Sequence, residues 1–84
     1  MSAEQQAVCD KATYDADRLL RTSEYLKSAP VGEFSSEESQ KFNSKRQFKE
    51  AMEIILEFGK QGCFTEEQVI KAGNYLINDA KNGN

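Results

Sequence analysis

Histidine and tryptophan are both missing from this chain, proline occurs once, and cysteine occurs only at Cys9 and Cys63. General acid–base catalysis at neutral pH most often uses histidine, and a nucleophilic thiol needs a base beside it. Neither cysteine has an imidazole to activate it, and no enzyme is expected. The one catalytic design left open is a site built from carboxylates alone. Two cysteines without histidine cannot complete a structural zinc site. The five glycines, at 32, 59, 62, 73 and 83, are too scattered to form a phosphate-cradling loop, so no cofactor is expected.

Long apolar runs are absent too. No N-terminal stretch joins a basic start to an apolar run of signal-peptide length, and nothing approaches the ~18 apolar residues of a membrane helix. The chain therefore reads as cytoplasmic, with no membrane partner. In that setting two isolated cysteines read as reduced, small apolar residues; the competing reading is a disulfide between the first and last helices.

What the chain does have is enough apolar material for one core. Hydrophobic residues make up 38% of 84 positions, including five Phe and three Tyr. That supports a single helical domain over 1–84 with frayed ends at 1–3 and 82–84. A domain this small buries little more than ~60% of its unfolded surface, so its stability is marginal and dimerisation would add to it.

Helical periodicity covers most of the sequence. Val8, Ala12, Ala16, Leu19 and Leu26, widened by Cys9 and Leu20, form an apolar stripe from Ala3 to about Ser28. Pro30 disfavours helical geometry at Ala29 and ends that helix. Ser35 and Glu38 then form a capping-box pattern, and Ser44 offers a second start just before Phe48, Ala51, Met52, Ile55 and Leu56. Either one helix runs from Ser36 to Phe58, or a short helix holding Phe42 breaks near Asn43. The break is favoured because Phe42 does not continue the later stripe.

Gly59 and Gly62 close this helix. The strongest local signal follows: Thr65 as N-cap with Gln68 closing a capping box, Phe64 and Val69 at staple positions, and Glu66 and Glu67 against the positive end of the helix dipole. A helix from Glu66 to about Lys81 should bury Val69, Ala72, Leu76 and Ala80 with Ile70 and Ile77 beside them. No strand-period alternation occurs. The fold class is all-α: a small three-helix bundle, with a short fourth helix in residues 36–42 if the break holds.

Charge is mildly acidic, with 14 acids against 11 bases, a net −3. This disfavours a dedicated nucleic-acid or anionic-membrane binder. Lys41, Lys45, Arg46 and Lys49, interleaved with Phe42 and Phe48, nonetheless make a candidate nucleic-acid-binding strip. A solvated face explains the run more simply, since Glu37, Glu50 and Glu53 stand at helical spacing from Lys41, Arg46 and Lys49.

A second candidate is a partner-binding stripe on the first helix. Asp10, Asp17 and Glu24 recur every seven residues with Tyr14 and Arg21 between them. A solvated outer face competes there as well. Tyr25 and Phe34 flank the first loop and are expected to plug the core.

Two familiar outlines fail on their residues. A helix-turn-helix reading of Ile55–Leu76 puts Glu66 and Glu67 where a recognition helix meets phosphates. Aligning Gly62 with the glycine of a calcium-binding EF-hand loop leaves Glu57, Gly59, Gln61 and Gln68 at ligand positions, a set that cannot hold calcium.

The sequence thus points to a small non-catalytic protein-binding or regulatory module, presenting a helical face to a protein partner or to a second copy of itself. The alternative is a nucleic-acid-binding accessory protein using the basic run. Adjacent apolar pairs such as Leu19 with Leu20 and Leu76 with Ile77, and the run Ile54 to Leu56, suggest more apolar surface than one small core can cover.

Overall fold

The structure is a computed structural model that describes residues 2–30 and 36–82. Three helices account for nearly all of them: α1 (Ala3–Ser28), α2 (Glu37–Gly59) and α3 (Glu66–Asn82). No strand occurs among the described residues.

Helix α1 starts at an N-cap, Ser2, whose hydroxyl accepts from Gln5 N, and it stops at Ser28, two residues before Pro30. Its buried stripe is Cys9, Ala12, Ala16, Leu19 and Ser23. Val8, expected on that stripe, is exposed because Cys9 takes the inward position. Tyr25 is 69% exposed and not a core plug, while Phe34 lies outside the described residues.

Helix α2 is continuous, so the expected break near Asn43 and the short fourth helix over 36–42 do not occur. Its N-cap is Ser36, whose hydroxyl accepts from Ser39 N; Ser35 lies outside the described residues. The α1-facing stripe does extend through the N-terminal half, but in polar residues. Gln40 and Ser44 are buried about two turns and one turn, respectively, ahead of Phe48. Gln40 Nε2 donates to the carbonyls of Leu26 (3.4 Å) and Ala29 (3.1 Å), satisfying the end of α1. Ser44 Oγ donates to Ser23 O and Ser23 Oγ donates to Ser44 O, both at 2.8 Å. Phe42 points away from this stripe, which is why it broke the apolar pattern without breaking the helix.

The turn into α3 is closed by backbone geometry. Gly62 N donates to Gly59 O and Cys63 N to Phe58 O, each at 3.1 Å, the bond pair of a Schellman motif. Gly62 occupies the left-handed region at φ +87°, where a side chain would be strained. This reversal sends Cys63 back onto α1, where it forms a disulfide with Cys9 across a Cα–Cα distance of 4.9 Å. The cysteines are thus not the separate reduced thiols expected from the sequence, and the second bonded residue lies in the turn before α3.

Thr65 and Gln68 form the reciprocal cap read in the sequence: Gln68 N donates to Thr65 Oγ1 (3.2 Å) and Thr65 N to Gln68 Oε1 (3.0 Å). Of α3, only Ala72 is fully inside. Ile70, Ile77 and Ala80, expected against the core, are exposed.

The core joins Ala16 and Leu19 of α1, Ala51, Met52 and Ile55 of α2, and Ala72 of α3, with Leu20, Phe48, Leu56 and Leu76 half-buried around them. Helix α2 is the common member. It packs against both neighbours, whereas no Cα of α1 lies within 8 Å of one in α3. The partners of α2 divide its circumference accordingly. Ser44 meets α1, while Lys45, Lys49 and Leu56 meet α3. At about 100° per residue the α3-facing positions, with Phe48 against Tyr75 and Gly59 against Val69 included, are spread over roughly 40–140° from Ser44 and centred near 90°, against about 60° in a closed triangle of helices. The molecule is long and flattened, with principal extents of 48 × 28 × 16 Å and a radius of gyration of 14.7 Å, the long axis following from the 26 residues of α1.

Candidate functional site

The opening between α1 and α3 is a groove of about 600 Å³ at the end of the bundle away from the disulfide. Ser23 and Lys27 of α1 form one wall, and Lys41, Ser44, Lys45 and Phe48 of α2 form the floor. Tyr75 supplies the α3 side. Phe48 and Tyr75 meet edge to face, with centroids 4.7 Å apart and planes at 71°, and make the apolar bed. The Ser23–Ser44 exchange draws α1 close to α2 at the base of one wall. Three lysines, Lys27, Lys41 and Lys45, border the aromatic bed, with the Lys45 ammonium turned to Asp79 on the side of a second depression.

The basic run is divided rather than gathered. Lys41 and Lys45 line this groove; Lys45, Arg46 and Lys49 line a second depression of about 420 Å³ with Phe42 and Asp79. Each of the four bases lies against a carboxylate. Lys41 pairs with Glu37 at 3.4 Å and Arg46 with Glu50 at 3.7 Å, as the spacing suggested. Lys49 pairs not with Glu53 but with Asp79 of α3, at 3.2 Å, and Lys45 reaches the same carboxylate at 3.6 Å. The Asp79 side chain is only 11% exposed. Hydrogen bonding to Lys49 holds its carboxyl below the ordinary 3.8, with the charges of Lys49 and Lys45 adding to the effect and partial burial opposing it.

The first-helix stripe is exposed throughout. Asp17 and Arg21 form the expected pair at 2.9 Å. Tyr14, Asp17 and Arg21 border a small depression of about 170 Å³ with Arg18 and Thr22. Asp10 lies outside that depression and accepts a hydrogen bond from Gln6, and Glu24 lies outside it too.

Sequence reasoning missed Ser23, Lys27, Tyr75 and Asp79. The signal for Asp79 was present. It is the only acid of α3 beyond the first turn, and it stands seven residues after Ala72 on the buried stripe, where a carboxylate needs a cation opposite.

No family model, curated protein or solved structure matches this chain. No helix among the described residues is long and apolar enough to cross a membrane.

Proposed function

We propose that this chain is a non-catalytic protein-binding module whose partner docks a helix in the groove between α1 and α3. The observation that carries the reading is the open angle at α2. No Cα of α1 comes within 8 Å of one in α3, and an aromatic bed lies in the opening between the two helices. The exposed faces of α3 at Ile70 and Ile77, 54% and 56% exposed, offer a second apolar surface for self-association.

The nucleic-acid alternative has less support, because Lys41, Lys45, Arg46 and Lys49 are each matched by a carboxylate and split between two depressions. The cytoplasmic setting expected from the sequence now has the disulfide against it, since such bonds persist in oxidising compartments.

Affinity capture from native extract, with and without nuclease, tests the reading when the wild-type protein is run beside Tyr75→Ala. A stoichiometric protein that survives nuclease and is lost from Tyr75→Ala, with helicity unchanged by circular dichroism, supports it. Retention of the same partner by the variant, or loss of all partners on nuclease treatment, overturns it. Sedimentation of the purified chain across a hundredfold range of concentration reads self-association separately.

A further inference from the structure

We infer that the helix accepted by this groove is acidic: an amphipathic segment with an apolar stripe on Phe48 and Tyr75 and with Asp or Glu on the flanks that meet Lys27 and Lys41. The inference rests on the docking role proposed above and adds the chemistry of the partner.

The argument is one of charge and of where charge can be exchanged. The groove's rim is basic on two elements, Lys27 from α1 and Lys41 and Lys45 from α2, although the chain as a whole carries −3. The carboxylates that reach these lysines differ in hold. Asp79 is shielded and grips Lys45 together with Lys49, so it stays in place. Glu37 and Lys41 are an i, i+4 pair at 3.4 Å with both side chains about three-quarters exposed, the kind of contact worth only a few tenths of a kcal/mol and readily traded for another carboxylate. Lys27 has no carboxylate partner among the described residues.

An incoming acid therefore gains an ammonium at Lys27 and at Lys41 without breaking a shielded pair. A helix suits the site because its three components are helices, with a wall on either side and α2 beneath. An open trough of this kind would leave most of a small anionic molecule in water, whereas small-molecule sites usually bury ~70–90% of their ligand.

The test is selection from a displayed library of helical peptides with a fixed leucine stripe and randomised flanks, against the wild-type chain and against the double variant Lys27→Glu/Lys41→Glu. Both positions lie outside the core, and circular dichroism verifies the variant's fold. The expected result is flanks enriched in Asp and Glu, amide shifts on binding centred on Ser23, Lys41 and Tyr75, and roughly tenfold or greater weakening by the double variant or by raised salt.

Peptides that occupy the groove with neutral or basic flanks overturn the acidic partner and leave the docking role standing. Absence of any peptide that shifts the groove overturns both. A 20-nucleotide single strand that binds through Lys27 and Lys41 and displaces the selected peptides overturns the inference in favour of nucleic acid.

Discussion

Ser23 and Ser44 exchange hydrogen bonds across the α1–α2 contact, each hydroxyl donating to the other residue's carbonyl at 2.8 Å with the two oxygens 3.0 Å apart. Both residues are 3% exposed. The pair lets two helices approach through small side chains while leaving no buried hydroxyl unpaired.

Removing one member leaves the other with a weaker set of partners. Ser23→Ala and Ser44→Ala should each lower stability by about 1 kcal/mol, and the double variant should lose clearly less than their sum. Urea denaturation of the four proteins measures the coupling. Strict additivity would show that the two hydroxyls act independently.

This pair also marks the limit of what the sequence revealed. Apolar periodicity located all three helices, because Pro30, the glycines at 59 and 62 and the Thr65 cap punctuate stripes whose period is unmistakable. It misread the start of α2, where the buried stripe continues as Gln40 and Ser44. A hydroxyl or amide is neutral to such a count until the carbonyl it satisfies is known. The groove was less legible still. Phe48 reads as core from sequence alone, and only the spacing of α1 from α3 around α2 leaves its face with Tyr75 beside an opening. Charge pairing was read along the helix and held for Glu37 with Lys41. It failed for Lys49, whose carboxylate comes from a helix 30 residues away.

Gly59 brings the end of α2 against α3. A Cβ there would collide with the Val69 side chain. In an exposed helix interior Ala would be favoured over Gly by about 1 kcal/mol, but overpacking costs about 1–3 kcal/mol, so Gly59→Ala should destabilise. Shortening the obstacle with Val69→Ala should recover part of the loss from Gly59→Ala. Gly62→Ala meets no atom within 4 Å and should cost about 1 kcal/mol through its φ of +87° alone, with no rescue by Val69→Ala. Thermal unfolding of the set separates the steric case from the backbone case.

Asp79 ties α3 to α2 through Lys49 and Lys45, and its carboxyl titrates below the ordinary 3.8 in the folded protein. A group whose folded pKa is depressed adds stability that is complete above the unfolded value and is lost as pH falls through the folded value. The wild-type advantage over Asp79→Asn should therefore be constant from about pH 5 to 7 and shrink as the pH drops below about 4. Urea midpoints of both proteins between pH 2.5 and 7 give the difference. An advantage that persists unchanged at the acid end would mean that packing, and not the charge of Asp79, holds the helices together.

The disulfide closes a span of 54 residues and fastens α1 to the α2–α3 turn at the end opposite the groove. Loop-closure entropy for that span gives about 4 kcal/mol, within the usual range of about 2–4 kcal/mol for such cross-links and large against the marginal stability of so small a domain. Cys9 is buried beside Ala12, so replacing both cysteines with serine adds a polar group to the interior; paired alanines are the cleaner variant. Cys9→Ala/Cys63→Ala should lower the urea midpoint sharply while the helices remain at low denaturant, because the Ser23–Ser44, Gln40 and Asp79 contacts at the other end do not depend on the bond. Reduction of the wild-type protein should reproduce the effect. Amide exchange locates it: protection should fall first in the opening turns of α1 and last around Ser44, and uniform loss along α1 would show that the cross-link supports the whole bundle rather than its own end.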